Sequence, residues 1–132
     1  MKRLSPPPHG PFEVWRNWFS QIESRLEWNS VTFTNSWADV GGSYYATKYT
    51  KDAWDRVTIR GRINTGASGT AAFTLPEGYR PNATVEFICA GVAGGSPATA
   101  YVKITSSGVL TPTIAGAAIE VSLDGITFVA EK

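Results

Sequence analysis

The sequence predicts a mainly β protein: an antiparallel, jelly-roll-like β-sandwich head preceded by one short amphipathic helix. Three observations carry this. Short alternating runs separated by turn residues fill positions 29–132. Only 17% of the 132 residues are charged, while Gly, Ser and Thr are plentiful, a balance that suits many short strands and turns. Positions 1–28 look different, with a proline run and then helical spacing. The chain therefore divides into an arm with a helix (1–28) and a head (29–132), within the size of one domain plus a small appendage.

The arm opens with Pro6-Pro7-Pro8, a stiff extended segment without free backbone donors. Pro11 suits the first turn of a helix. Phe12, Trp15, Phe19, Ile22 and Leu26 follow at spacings of 3, 4, 3 and 4, with Trp18 at the flank. At 3.6 residues per turn they form a stripe less than about 90° wide. Such a short helix is marginal alone, so its stripe needs a partner. Two partners fit: the β head of the same chain, or further copies of the helix. The second makes Phe12, Trp15, Trp18, Phe19, Ile22 and Leu26 candidate oligomerisation residues.

In the head, Val31–Phe33, Trp37–Val40 and Tyr44–Thr50 read as strands, with a break at Gly41-Gly42. Val57, Ile59 and Ile63 alternate with Thr58, Arg60 and Arg62 in one half-buried strand with Gly61 inside it. Val85–Ala90 is apolar on both faces, as in a central strand. Gly91–Gly95 reads as a glycine-rich loop. Tyr101–Thr105 and Val109–Thr113 flank Ser107-Gly108 as a hairpin. Ile119–Leu123 and Ile126–Phe128 flank Asp124-Gly125, a strong two-residue hairpin signal. Between Leu75 and Pro81 the string LPEGYRP predicts a rigid corner. Pro76 stops a strand, Gly78 takes positive φ, Tyr79 tucks beneath the turn and Pro81 sets the exit.

Composition and motifs favour binding over chemistry. A net charge of +1 gives no footprint for nucleic acid. No apolar run reaches the roughly 18 residues of a membrane span. The basic start lacks the apolar run of a secretory signal. Asn82-Ala83-Thr84 is a chance-level glycosylation sequon. The lone Cys89 has no internal disulfide partner and reads as a small buried hydrophobe. The single histidine, His9, lies in the arm, so no nucleophile–histidine pair is expected in the head. No cysteine or histidine cluster has metal-ligand spacing, and no cofactor motif occurs. The expectation is a non-enzymatic protein without cofactor or metal.

Two groups stand out as ligand-binding candidates. Arg56, Arg60 and Arg62 share one face of a predicted strand and suit anionic groups of a cell-wall polymer. Tyr44, Tyr45, Tyr49 and Trp54 supply rings that stack on sugars. Asp52 and Asp55 flank Trp54 in the loop KDAWDR. For each group a bland alternative stands: a solvated or subunit-facing surface for the arginines, and core packing for the aromatics.

The strings DRVTIRGRINTG, TAAFTLPEGYRP and VSLDGITF, in that order, resemble the head domain of tailed-bacteriophage receptor-binding and tail-fibre proteins. The resemblance spans about residues 35–132. It implies a homotrimeric β-sandwich on a virion, assembled in the host cytoplasm, adhering to saccharide on the host surface. The helix then forms a short stalk, and the arm docks to other tail or baseplate proteins. Alternatives are a structural virion fibre or decoration protein without its own ligand, and a monomeric carbohydrate-binding module.

Overall fold

A computed structural model describes residues 27–131. Phe12, Trp15, Trp18, Phe19, Ile22 and Leu26, and with them the expected helix and all of the expected arm but residues 27 and 28, lie outside the described residues. Eleven strands follow in order: β1 (Asn29–Ser30), β2 (Ala38–Asp39), β3 (Lys48–Lys51), β4 (Arg56–Arg60), β5 (Arg62–Asn64), β6 (Phe73–Thr74), β7 (Val85–Ala93), β8 (Ser96–Ile104), β9 (Val109–Thr113), β10 (Glu120–Ser122) and β11 (Ile126–Val129). They make a four-stranded sheet, β1-β3-β4-β11, and a seven-stranded sheet, β2-β5-β10-β7-β8-β9-β6. Every named pairing is antiparallel. The fold class read from the sequence is the one observed across the described residues.

The core lies between the sheets. Val57 and Ile59 of β4, Phe73 of β6, Val102 and Ile104 of β8, Leu110 of β9, Val121 of β10 and Ile126 of β11 all point into it. This is the alternation the sequence shows, converted into burial by the period-2 geometry of strands. Phe33 adds an edge-on contact to Phe73, with centroids 6.0 Å apart. Cys89 is half-buried against this core, and burial pushes its thiol pKa up, so it stays protonated.

Two sheet changes depart from the sequence reading. The expected single strand 57–63 is two strands in different sheets, split at Gly61. The expected Asp124-Gly125 hairpin is not a hairpin: β10 pairs with β5 and β7, whereas β11 pairs with β4. Together, β4–β5 and β10–β11 form a two-stranded ribbon that bends from one sheet into the other. Arg62 faces Ser122 before the bend and Ile59 faces Ile126 after it. The β10–β11 side thus carries one extra residue, as a β-bulge does, and a bulge bends a strand. Asp124-Gly125 supplies the sharp reversal, but the partners were chosen by burial on both sides.

Polar bonds fix the bend. Gly61 N–H donates to Asp124 Oδ1 at 2.8 Å, and Leu123 N–H donates to the Gly61 carbonyl at 2.8 Å. Gly61 has φ of +132°, and a Cβ there would sit 2.5 Å from Thr47 Cα and Oγ1. Thr47 in turn donates from its N–H and hydroxyl to Asp39 Oδ1, at 2.8 and 2.6 Å. Asp39 belongs to the seven-stranded sheet and Thr47 precedes a strand of the other, so this contact also ties sheet to sheet.

Smaller differences have local causes. Val31–Phe33 is not a strand. Tyr44 and Tyr45 precede β3, because the Gly41-Gly42 turn extends to Tyr44 N–H, which donates to Gly41 O. The strand β7 runs through Gly91 to Ala93, so only Gly94 and Gly95 form the turn, both at positive φ. Along β7, Glu86, Ile88 and Ala90 face solvent, and Ile88 is 74% exposed. β7 is central, as expected, but not apolar-buried on both faces.

The LPEGYRP corner is as predicted. Gly78 has φ of +87° and its N–H donates to Glu131 Oε1 at 3.0 Å. Tyr79 packs edge-on to Tyr49 at 5.0 Å, and Lys51 Nζ donates to Gly78 O and lies over the Tyr79 ring. Pro81 bridges to Ala130, closing the end of the four-stranded sheet. Arg80 Nε donates to Leu75 O at 2.8 Å, so that side chain holds the corner.

Removing the Asp124 acceptor leaves the buried Gly61 N–H unpaired, which costs about 1–3 kcal/mol. Asp124→Ala is expected to lower the unfolding free energy by that amount, read as a lower urea midpoint at unchanged m, and Gly61→Ala to cost more because its Cβ meets backbone. Equal midpoints for wild type and Asp124→Ala would show the bend to be held by other contacts.

Candidate functional site

Either side of Gly61, two arginines are capped by two consecutive tyrosines. The Tyr45 ring lies 4.5 Å from the Arg60 guanidinium, and the Tyr44 ring lies 4.3 Å from that of Arg62. Strand spacing explains the match. Residues 60 and 62 project from the same side of a chain that bends between them, and the turn after Gly41 brings the loop 43–46 over the bend. Tyr44 and Tyr45 are 45% and 60% exposed, so their outer faces remain open to solvent.

Arg60 is covered on a second side by Trp28, whose ring lies 4.0 Å away. Extending the β1–β3 register, Asn29 opposite Tyr49, places Trp28 opposite Thr50. To reach Arg60 the indole must cross the outer face of β3. Thr50 lies on that face and is only 3% exposed. Arg60 Nε and Thr50 Oγ1 are both buried without a hydrogen-bond partner among the described residues. The guanidinium is thus held by ring faces rather than by hydrogen bonds at Nε, which suits the weakly hydrated Arg cation.

Arg62 differs. Its Nε donates to Glu120 Oε1 at 2.8 Å, a half-buried ion pair across β5 and β10. The pair neutralises the arginine, and the second carboxylate oxygen of Glu120 has no hydrogen bond among the described residues.

The other candidates disperse. Tyr49 is buried at the LPEGYRP corner, so it faces the core and not a ligand. Burial, then the nearby Tyr79, raise its pKa above the usual 10.0. Asp52 is committed to its own loop: Oδ1 accepts from Trp54 N–H at 2.8 Å and Arg56 N–H at 3.0 Å. Asp55 has φ of +62° and pairs loosely with Lys51 at 3.9 Å. Trp54 stands 72% exposed at the tip of the β3–β4 loop, and Arg56 is exposed beside it. Arg56 therefore lies at the far end of β4 from Arg60. The structure assembles Tyr44, Tyr45, Arg60 and Arg62, and separates them from the KDAWDR loop.

Trp28 and Glu120 were missed as partners. Trp28 fell at the boundary assigned to the arm, and Glu120 lies some 60 positions from Arg62, joined to it only by β5–β10 pairing. The alternation around Val121 gives a weak signal for Glu120, since Glu120 and Ser122 mark the outer face of that strand.

The architecture is a two-sheet β head whose bent ribbon carries an exposed tyrosine–arginine ridge. In fold it is similar to the crystal structure of the receptor binding protein (gp15) of Listeria phage PSA, with a TM-score of 0.63 and 17% sequence identity over 94% of this chain and 82% of that one. At that identity the likeness is one of fold. No family model matches the chain, and no curated protein matches it.

Two outcomes follow. A double-mutant cycle of Trp28→Ala and Arg60→Met is expected to give a coupling of about 0.5–2 kcal/mol in denaturant unfolding; strictly additive effects would mean that the stack adds nothing. The raised pKa of Tyr49 means that the fold favours the neutral phenol. Its contribution is complete below the ordinary tyrosine value and is lost as pH rises through the raised one. In an alkaline titration followed by circular dichroism, Tyr49→Phe is therefore expected to unfold at higher pH than wild type.

Proposed function

We propose that this chain is a bacteriophage receptor-binding head, a virion component that adheres as a homotrimer to saccharide on the host cell surface. The observation that carries the reading is the likeness of fold to a phage receptor binding protein across 94% of the chain. The ordered strings around LPEGYRP and VSLDGITF support it independently of that likeness. The tyrosine–arginine ridge supplies chemistry suited to the task. Exposed ring faces stack on the apolar faces of sugars, and arginines fixed beneath them lose little side-chain freedom when a ligand arrives. The arm and helix assigned to positions 1–28 would form a short stalk and join the head to other tail or baseplate proteins. The head acts by binding, without catalysis, cofactor or metal.

Fluorescently labelled full-length protein should stain cells of the host bacterium, and purified cell-wall polysaccharide should compete. Tyr45→Ala is expected to weaken staining about tenfold, equivalent to about 1.4 kcal/mol, with folding retained. The polysaccharide should show no new reducing ends after incubation. Light scattering should give about three times the 14.2 kDa chain mass. A folded protein that stains no host cell would favour a structural virion component instead.

A further inference from the structure

Beyond the tyrosine–arginine ridge, the Arg62–Glu120 pair leads into a cleft of about 440 Å³ between the loops 64–68 and 116–119. Its volume falls within the range of about 300–1,000 Å³ usual for small-ligand sites. We infer that this cleft is a second saccharide subsite, taking a neutral, polyhydroxylated ring of the same surface polymer that the ridge meets. The inference rests on the receptor-binding reading and adds to it a place and a ligand class.

The shape of the cleft is imposed by packing. Gly66 lies so close to the buried Trp37 ring that a Cβ would overlap it, and a Cβ on Gly116 would come within 2.8 Å of Ala93 Cβ. Both loops are therefore held close to the body, with bare peptide edges facing the opening. Thr65 and Ala118 line the two sides at φ of +67° and +51°. Non-glycine residues adopt that region at a cost, and such outliers concentrate at working sites.

The polar groups are matched to hydroxyls. Asn64 and Glu120 are direct cross-strand partners and line the same cleft. The Asn64 amide has no hydrogen bond among the described residues, and Glu120 uses Oε1 for Arg62. An amide and a free carboxylate oxygen side by side can accept from and donate to adjacent ring hydroxyls. Ser68 Oγ accepts from Ile114 N–H at 2.8 Å, which leaves its own proton to donate. Thr65 Oγ1 donates to Ser36 O at 2.6 Å, which leaves its lone pairs to accept. Other ligand classes fit less well. Glu120 repels an anion, and the neighbouring Arg62 is already paired with it. A single carboxylate makes a poor metal site. Among the described residues Ile119 is the one large apolar residue at the rim, and it is buried, so a lipid or an apolar peptide finds little surface there.

The test is saturation-transfer NMR on the full chain with glucose, galactose, N-acetylglucosamine, N-acetylgalactosamine and rhamnose as probes. Asn64→Ala removes the amide. Ala67→Trp fills the cleft from an exposed position. Lys103→Ala, on the exposed face of β8, is the control. At least one sugar should show transfer, falling fivefold or more in Asn64→Ala and in Ala67→Trp but not in Lys103→Ala, with melting temperatures near wild type. Transfer unchanged in both cleft variants would overturn the subsite and leave the receptor reading standing. So would absence of transfer from every probe while labelled wild type still stains host cells. Absence of both transfer and staining would overturn the two readings together.

Discussion

The two hydrogen bonds that close the bend at Gly61, from its N–H to Asp124 and to its carbonyl from Leu123, are what the rest of this head depends on. A sandwich needs strands that leave one sheet and enter the other, and each crossing exposes backbone groups that a sheet would otherwise pair. Here two neighbouring strands cross together, so each supplies the partners the other lacks. Glycine is required because the backbone of Thr47 occupies the space where a side chain would stand. Thr47 is itself fixed by Asp39 from the opposite sheet.

The bend also builds the surface. Because Arg60 ends β4 and Arg62 begins β5, two arginines close in sequence emerge on different sheets at a convex corner. A pair of tyrosines from the preceding loop then covers them, one ring to each cation. The arginines differ in how they are held. Arg60 is stacked by Trp28 and Tyr45, whereas Arg62 is paired with Glu120. The first ties Trp28, just before β1, to the four-stranded sheet. The second carries the ridge on toward the cleft at Asn64. An arginine face that reads as uniform along the chain is thus split into two sites with separate duties.

The opposite end of the sandwich is closed by the LPEGYRP corner, through different physics. Fixed φ at Pro76 and Pro81 limits the conformations available to the unfolded chain as well as the folded one, while Gly78 supplies the positive φ that the turn needs. Side chains then seal it: Tyr79 against Tyr49, Lys51 on Gly78 and Glu131 on the Gly78 N–H. Arg80 is a brace on Leu75.

Much of this was written locally. The period-2 alternation of Val57 and Ile59, of Val102 and Ile104, and of Val121 and Leu123 determined the strands and which of their faces would be buried. The residue chemistry of LPEGYRP determined a corner, since proline and glycine restrict or free the backbone wherever they stand. Partnership was another matter. Alternation looks the same in a hairpin and in a strand that bends between sheets, so Asp124-Gly125 could not announce which it would be; the pairing of β11 with β4 decided that. The contacts of Trp28 with Arg60, and of Glu120 with Arg62, join positions 32 and 58 residues apart. Only the closed sandwich brings such distant side chains together, because burial of apolar faces sets the strand order and polar neighbours follow from it.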